Sequence, residues 1–295
     1  MYVKTVFASL LLGLLLSSCT RQPETRQATP RAQNTIPFRV MSFNIRYNNP
    51  GDEEHAWPHR VDRVASTILF NNTDIVGVQE ALKEQLDDLS AKLPGYTWVG
   101  VGRDDGAEAG EYTAIFYKED RFSLLANDTF WLSKTPEVPG SKDWDAALTR
   151  IATWGHFEDT MTGSSLYVFN THFDHRGAEA RTQSAGLIAS RATEIAGDAP
   201  LVVTGDFNFT PAADGYAALT EKLSDAFHTT KEPHHGPAST IYRGFEVTHE
   251  PGRRIDYIFT NDVLTVRQHA ILSDNWDGAF ASDHLAVLAT LALNN

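Results

Sequence analysis

Residues 201–208, LVVTGDFN, form a short apolar run that ends in two polar residues, Asp206 and Asn208. A short apolar run that is closed by turn-forming residues predicts a buried strand. Polar residues also stand at the ends of the other apolar runs: Asn44 after residues 38–43, Glu80 after 74–79, His172 after 165–171, Asp256 before 257–259, and Asp283 and His284 before 285–293. Because strand ends lie along the rim of a sheet, we expect these side chains to converge on one pocket.

The chemistry of these side chains favours hydrolysis with a divalent metal ion. Carboxylate oxygens are the protein ligands that Mg²⁺ prefers. Phosphate-ester hydrolysis needs an aligned water, a cation and donors that stabilise the added charge. A Gly-Lys-Ser/Thr phosphate loop and a Gly-x-Ser-x-Gly elbow are both missing from the sequence, which argues against nucleotide triphosphatases and serine hydrolases. Five other histidines fit no zinc pattern, so we expect them at the surface: His55, His59, His234, His235 and His249.

The composition of the chain determines how large a hydrophobic core it can form and which substrates its charge favours. With 295 residues, of which 42% are hydrophobic, the chain can form one large α/β domain or two smaller ones. The net charge of −13 repels polyanions at long range, which weighs against a long nucleic-acid duplex as a substrate. A local basic pocket for a small phosphate remains compatible with this charge. We expect a monomer.

The N-terminal segment has the pattern of an export signal. Lys4 precedes the apolar residues 6–16, and small residues lead to Cys19, the only cysteine of the chain. The sequence Leu-Ser-Ser-Cys resembles the bacterial lipoprotein cleavage motif, so residues 1–18 are predicted to be removed and Cys19 to carry lipid. The alternative is a plain signal peptide. Residues 19–36 are predicted to be a flexible tether, and residues 37–295 the domain of an exported cell-envelope lipoprotein that meets the membrane through its lipid anchor.

Strand and helix patterns alternate irregularly along the rest of the chain. Apolar runs predict strands at residues 38–44, 74–79, 96–102, 112–117, 122–131, 148–157, 165–171 and 201–205, with three more strands after Tyr242. Helical spacing predicts helices near residues 57–68, 81–93, 178–196 and 212–223. Because helices separate only some of the strands, we predict mixed or antiparallel sheets flanked by helices.

Arg181 is unusual because it shares the predicted apolar face of its helix with Ala185 and Ile188. A permanently charged group on such a face needs an anionic partner. That partner is either a carboxylate of the protein, as a buried ion pair, or the phosphate of a substrate. The sequence leaves both alternatives open.

Six short motifs, in order, resemble the endonuclease/exonuclease/phosphatase superfamily: Ser42-Phe43-Asn44-Ile45-Arg46, Gln79-Glu80, Asn170-Thr171-His172, Gly205-Asp206-Phe207-Asn208, Arg254-Ile255-Asp256-Tyr257-Ile258 and Ser282-Asp283-His284. The resemblance covers about residues 38–293. It implies a four-layer α/β sandwich, in which two packed mixed β-sheets are flanked by helices (a DNase I-like fold). Trp57, Arg60 and the stretch Thr171-His172-Phe173-Asp174-His175 also resemble a bacterial branch of stand-alone phosphoesterases, which includes sugar-phosphate phosphatases.

The resemblance also implies roles for the rim residues. Asn44, Glu80 and Asp283 would hold Mg²⁺ or Mn²⁺, and His172, Asp206, Asp256 and His284 would be catalytic. Asp256 would orient His284, while Asn208 would bind the phosphate. For Arg181 we favour the phosphate over a carboxylate as its partner, on the position of Arg181 in its helix and not on the resemblance. Whether Asp206 or His284 is the working base stays open.

We therefore predict a metal-dependent phosphoric ester hydrolase that acts on small organic phosphates at the cell envelope, such as sugar phosphates, nucleotides or lipid head groups. A secreted nuclease that scavenges nucleic acid is the rival enzyme, and a binding lipoprotein with an inactive site is the rival from another class.

Overall fold

The computed structural model describes residues 1–3, 5, 36–242, 244–246 and 252–294. Lys4, the apolar residues 6–16, Cys19 and nearly all of the predicted tether lie outside these ranges, as does His249. Within the described part of the chain, no helix is both long and apolar enough to cross a membrane.

Strands make up most of the regular structure. In chain order they are β1 (Phe38–Asn44), β2 (Ile75–Gln79), β3 (Tyr96–Val99), β4 (Ile115–Lys118), β5 (Phe122–Trp131), β6 (Ile151–Asp159), β7 (Ser164–His172), β8 (Leu201–Asp206), β9 (Ser224–Asp225), β10 (Asp256–Thr260), β11 (Leu264–Ile271), β12 (Asn275–Trp276), β13 (Ala279–Phe280) and β14 (Val287–Leu293). The helices are α1 (Trp57–Phe70), α2 (Lys83–Lys92), α3 (Ala178–Ala196), α4 (Asp214–Thr220) and α5 (Ala226–Thr229), with a 3₁₀ helix at Pro50–His55.

Two six-stranded sheets carry the fold, and both are mixed. The first has the strand order β11-β14-β1-β2-β4-β3, and the second has the order β5-β6-β7-β8-β10-β9. Each contains one parallel pair at its centre, β1 with β2 and β7 with β8, while its other neighbours are antiparallel. The central strands are apolar and buried on both faces, as expected when each sheet is covered on both sides.

Three hydrophobic clusters separate four layers. One lies between the sheets and includes Val40 and Val168. A second joins the first sheet to α1 and α2, and a third joins the second sheet to α3 and α4. The predicted four-layer α/β sandwich is therefore confirmed.

The two sheets approach each other closely just behind the strand ends. A Cβ atom on Gly77 would lie 2.3 Å from Thr204 Oγ1 and 2.6 Å from the Asn170 side chain. The Gln79 amide donates to Asn170 Oδ1 at 2.6 Å, and the Asn170 amide donates to the Val78 carbonyl at 2.8 Å. These buried bonds fix the spacing between the two rims, because an unpaired polar group at this depth would be costly.

Several element boundaries differ from the sequence prediction for local reasons. β1, β5 and α3 have the predicted bounds. The strand predicted at residues 112–117 begins only at Ile115, and the helix predicted from Ala81 begins at Lys83, because Tyr112 and Ala81 form an isolated bridge to each other. The predicted strand at 148–157 begins at Ile151, and helix 212–223 shortens to Asp214–Thr220. The 3₁₀ helix, β9, α5 and the β12–β13 hairpin have no counterpart in the prediction.

Candidate active site

The carboxyl ends of the two central parallel pairs meet on one side of the sandwich. Asn44 ends β1, and Glu80 follows β2 directly. In the second sheet, His172 and Asp206 are register partners, and Asp206 is also the register partner of Asp256. The topology therefore brings together rim residues that are as far apart in the sequence as Asn44 and His284.

Asn44 joins the two sheets across this rim. Its amide nitrogen donates to Glu80 Oε1 and to Asp206 Oδ2, both at 3.0 Å. Its amide oxygen accepts from the Arg46 backbone nitrogen at 3.0 Å. In this arrangement Asn44 offers its nitrogen to the carboxylates and its oxygen to the backbone.

Glu80 is held in a strained backbone position. Its φ of 63° lies in the left-handed region, which costs free energy for a non-glycine residue. The Tyr47 backbone nitrogen donates to Glu80 Oε2 at 3.2 Å, and Arg46 Nη1 lies 4.0 Å from the same oxygen. The side chain keeps 14% of its surface exposed, so this carboxylate faces the solvent side of the rim.

Asp206 is the buried centre of the site. Its Oδ1 accepts from the Asn208 backbone nitrogen at 2.9 Å, and its Oδ2 lies 3.4 Å from His172 Nε2 and 3.9 Å from His284 Nε2. Burial, followed by the nearby charge of Asp256, raises the pKa of Asp206 to about 7. Burial and a second carboxylate both disfavour the ionised form of Asp206, so a bound cation would favour that form.

His284 is paired with Asp256 behind Asp206. Its Nδ1 lies 3.0 Å from Asp256 Oδ2 and 3.1 Å from Oδ1. Burial would lower the pKa of His284, but the Asp256 and Asp206 charges raise it well above its usual value. Ser282 fixes the preceding turn by donating to the Asn44 carbonyl at 2.7 Å, and Asp283 accepts from the same hydroxyl at 3.3 Å.

His172 and Asn208 form the other side of the site. The Asn208 amide nitrogen lies 3.1 Å from His172 Nε2 and donates to the Phe173 carbonyl at 3.0 Å. Burial, then the charges of Arg150 and Arg103, lower the pKa of His172 well below its usual value. A neutral imidazole can accept the Asn208 amide proton at Nε2, whereas an imidazolium cannot.

Three residues that the sequence analysis did not assign to the site lie behind His172. Arg103 forms an ion pair with Glu111 at 2.7 Å, and Glu111 Oε2 lies 3.8 Å from His172 Nδ1. Arg150 is buried, with its Nε 3.8 Å from Asp174. Arg103 directly follows the predicted strand 96–102 and Glu111 directly precedes the predicted strand 112–117, so both stand at predicted strand ends that were not considered as site positions.

Arg181 lies at the margin of the site, on the border of the apolar face of α3. It is half-buried, and its Nη1 donates to the Asp174 carbonyl at 3.0 Å. Among the residues that the structure describes, no carboxylate lies within 4.0 Å of its guanidinium, so the ion-pair alternative has no partner. Arg181 and Asn208 instead line the same groove.

The donor set fits a hard divalent cation. Ligand atoms of Glu80, His172 and Asp206 lie within 4.8 Å of one another, as do those of Asp206, Asp256 and His284. Burial raises the pKa of Asp283, and the charge of the nearby Glu80 raises it further. Such a carboxylate-rich cluster, short of positive charge, is suited to Mg²⁺ or Mn²⁺.

The sequence pattern of the Endonuclease/Exonuclease/phosphatase family matches residues 41–284. The chain belongs to this family. A family member of known structure from Bacteroides vulgatus is 43% identical, with a TM-score of 0.84 and coverage of 88% of this chain and 100% of that one. A mannosyl-6-phosphatase from Bacteroides thetaiotaomicron is 35% identical, with a TM-score of 0.82 and coverage of 86% and 99%.

The curated proteins that match this chain are less similar to it in sequence than these two structures. Nocturnin of Drosophila melanogaster is 24% identical over 205 residues, which are 62% of this chain and 30% of that protein. The chain spans less than half the length of each of the curated relatives given by these comparisons. Family members are phosphoric ester hydrolases that use divalent metals, so the predicted enzyme class is confirmed.

Proposed function

We propose that this protein hydrolyses small organic phosphate monoesters with the help of Mg²⁺ or Mn²⁺, and that sugar phosphates are its preferred class. The main observation behind the proposal is that one oxygen of the buried Asp206 lies close to both His172 and His284 and accepts a hydrogen bond from the Asn44 amide. The 35% identity to a mannosyl-6-phosphatase supports the sugar-phosphate class.

In this reaction, water attacks the phosphorus atom and the bond from phosphorus to the alcohol oxygen breaks. The alcohol oxygen takes up a proton, and the products are the alcohol and orthophosphate. Asp206 orients the water and removes its proton. The raised pKa of His284 keeps its imidazole protonated beside Asp256, so His284 can stabilise negative charge or supply a proton but cannot remove one from water. Asn208 donates its amide to a phosphoryl oxygen in place of its contact with His172 Nε2, while it keeps its hydrogen bond to the Phe173 carbonyl.

Glu80 and Asp283 would hold the cation. Asn44 would join them if its amide turned so that the oxygen, instead of the nitrogen, faced the site. When bound, the cation neutralises phosphoryl charge and helps to position water. Glu80 keeps part of its side chain exposed to solvent, whereas Asp206 is buried.

The acidic surface supports a small substrate. With a net charge of −13, the chain attracts long polyanions poorly, although a single phosphate can reach a local cationic pocket. The rival activity, cleavage of nucleic acid, remains the alternative outcome of the test below.

The test is a panel of small phosphate monoesters and diesters, duplex DNA and RNA, assayed with Mg²⁺, Mn²⁺ and a chelator. We expect the purified full-length protein to release phosphate from sugar phosphates, to lose this activity with the chelator and to ignore duplexes. Cleavage of nucleic acid without turnover of small esters would favour the nuclease. No turnover of any substrate would favour a binding protein with an inactive site.

We also propose that the protein is a monomeric cell-envelope lipoprotein that is anchored through Cys19. The export-signal pattern and the motif that ends at Cys19 support this. Metabolic labelling with a fatty acid tests it: the wild type should incorporate label and sediment with membranes, whereas Cys19→Ser should do neither. Equal labelling of both proteins would contradict the proposal.

A further inference from the structure

An open groove of about 420 Å³ lies beside Asn208. Its lining comes from three segments: the first turns of α3, the loop after β8 and the residues just before β10. A volume of this size accommodates a small hydroxylated ring with its substituents. Because Asn208 belongs to both the site and the groove, a substrate that binds at Asn208 can extend into the groove.

Two arginines give the groove its charge. Arg181 uses one guanidinium nitrogen, Nη1, to hold the Asp174 carbonyl, and its remaining donors have no carboxylate partner among the described residues. Arg253 is exposed and forms no ion pair within the described part of the chain. Among the described residues, therefore, neither arginine has a carboxylate partner that would occupy its charged donors.

The other lining groups suit a sugar-like body. Thr182 and Thr210 bring hydroxyl groups, and Phe209 and Ile255 bring apolar surface. Asp214 is the one acidic residue among the lining side chains, so the two arginines leave the groove with a net positive charge. This contrasts with the acidic chain as a whole.

We propose that this groove binds a second anionic group of the substrate, so that the preferred esters are sugar phosphates carrying another phosphate or a carboxylate. The inference rests on the proposed phosphomonoesterase activity. The reacting phosphate lies at Asp206 and Asn208, and the second anion pairs with the Arg181 and Arg253 guanidinium groups. Forked guanidinium–oxyanion contacts are among the stronger polar interactions in proteins.

The experiment compares three esters with the full-length enzyme: a hexose 6-phosphate, the corresponding hexose 1,6-bisphosphate and a 6-phosphoaldonic acid. We expect kcat/KM to be at least about tenfold higher for the two esters that carry a second anion, mainly through a lower KM. Arg181→Gln and Arg253→Gln should each reduce this preference by roughly threefold to tenfold. Added salt should also reduce it, since the groove is open to solvent.

Arg191→Gln is the matched control, because Arg191 stands on the same helix but pairs with Glu137 outside the groove. This variant should keep the wild-type preference. A preference for the bisphosphate alone would show that the groove requires a phosphate as the second anion. A preference for both esters would show that it accepts either a phosphate or a carboxylate.

Equal kcat/KM for all three esters, unchanged in the two groove variants, would overturn this inference and leave the proposed function intact. Absence of turnover with every ester would overturn the proposed function, and the inference with it.

Discussion

Each half of the active-site rim is organised by one buried charged residue, and the two residues have opposite signs. In the first-sheet half this residue is Arg60, which is fully buried in α1. Its guanidinium donates to four backbone carbonyls: His55 at 2.5 Å, Ile45 at 2.7 Å, Ala281 at 2.9 Å and Arg46 at 3.1 Å. Arg60 therefore ties together the segments that follow Asn44 and precede Asp283.

In the second-sheet half the residue is Asp174, two positions after His172. Its carboxylate accepts from the backbone nitrogens of Gly177 at 2.7 Å, Arg176 at 2.9 Å and Leu148 at 3.0 Å. Burial alone would raise the pKa of Asp174, but these bonds outweigh it and lower the pKa to about 2. Asp174 fixes the turn from His172 into α3, the helix that carries Arg181.

The two halves differ in how far their working carboxylates reach solvent. Glu80 keeps 14% of its side chain exposed, whereas Asp206 keeps 2%. An exposed carboxylate exchanges ligands readily, while a buried one has a strongly shifted pKa. Although ligand atoms of Asp206 and Glu80 lie within 4.8 Å of each other, we propose that Glu80 in the first-sheet half serves cation binding and that Asp206 in the second-sheet half serves proton handling.

The largest effect should come from two buried residues, Asp206 in the second-sheet half and His284, which precedes β14 of the first sheet. We predict that Asp206→Asn and His284→Ala each lower kcat by about 10²–10⁴-fold with little change in KM, because both groups act on the transition state. Steady-state kinetics on the best sugar phosphate measure this. Asp87→Asn, an exposed acid of α2 paired with Lys83, is the control and should leave kcat unchanged.

Near-wild-type kcat in either variant would remove that residue from the reaction. A near-wild-type kcat in Asp206→Asn would also end the assignment of proton handling to the second-sheet half.

A smaller effect should follow from removing the buried cation of the first half. Arg60→Met leaves four backbone carbonyls without their charged donor, so we predict a loss of about 3 kcal/mol or more in the free energy of unfolding. Denaturant unfolding measures it, and Arg63→Met on the same helix is the control. Equal stability of the two variants would show that Arg60 does not hold this half together.

The smallest effect concerns Asp174 and appears as a pH dependence. The folded pKa of about 2 lies below the ordinary value of 3.8, so the unfolded chain binds this proton more tightly. The stabilisation is complete above about pH 4 and is lost as the pH falls towards 2. We predict that Asp174→Asn costs roughly 1–2 kcal/mol at neutral pH and less near pH 2. A stability difference that stays constant from pH 7 to pH 2 would contradict this account.

The strand-end pattern predicted most of the rim, because strand termini and their polar residues are local features of a sequence. Asn44, Glu80, His172, Asp206 and His284 all follow from it. The four-layer arrangement followed from the motif resemblance, since pairing between distant strands such as β1 and β14 leaves no local trace.

The supporting residues Arg103 and Glu111 also stand at predicted strand ends, but nothing local in the sequence indicates that they face His172. Arg103, Glu111 and Arg150 reach His172 only through the tertiary fold. Arg181 shows the opposite error, because helical spacing placed it on the apolar face although its guanidinium turns to the Asp174 carbonyl at the margin. A long side chain can leave the face on which its Cα lies.

The central claim is that the two halves divide cation binding from proton handling. Titrating phosphate release against Mg²⁺ concentration for the wild type, Glu80→Gln and Asp206→Asn tests it most directly. We predict that Glu80→Gln shifts the midpoint to at least about tenfold higher Mg²⁺ and regains much of its rate at saturation, because one anionic ligand is lost. Asp206→Asn should keep a midpoint near that of the wild type at a rate that Mg²⁺ does not restore. A wild-type midpoint in Glu80→Gln, or recovery of Asp206→Asn at high Mg²⁺, would contradict the claim.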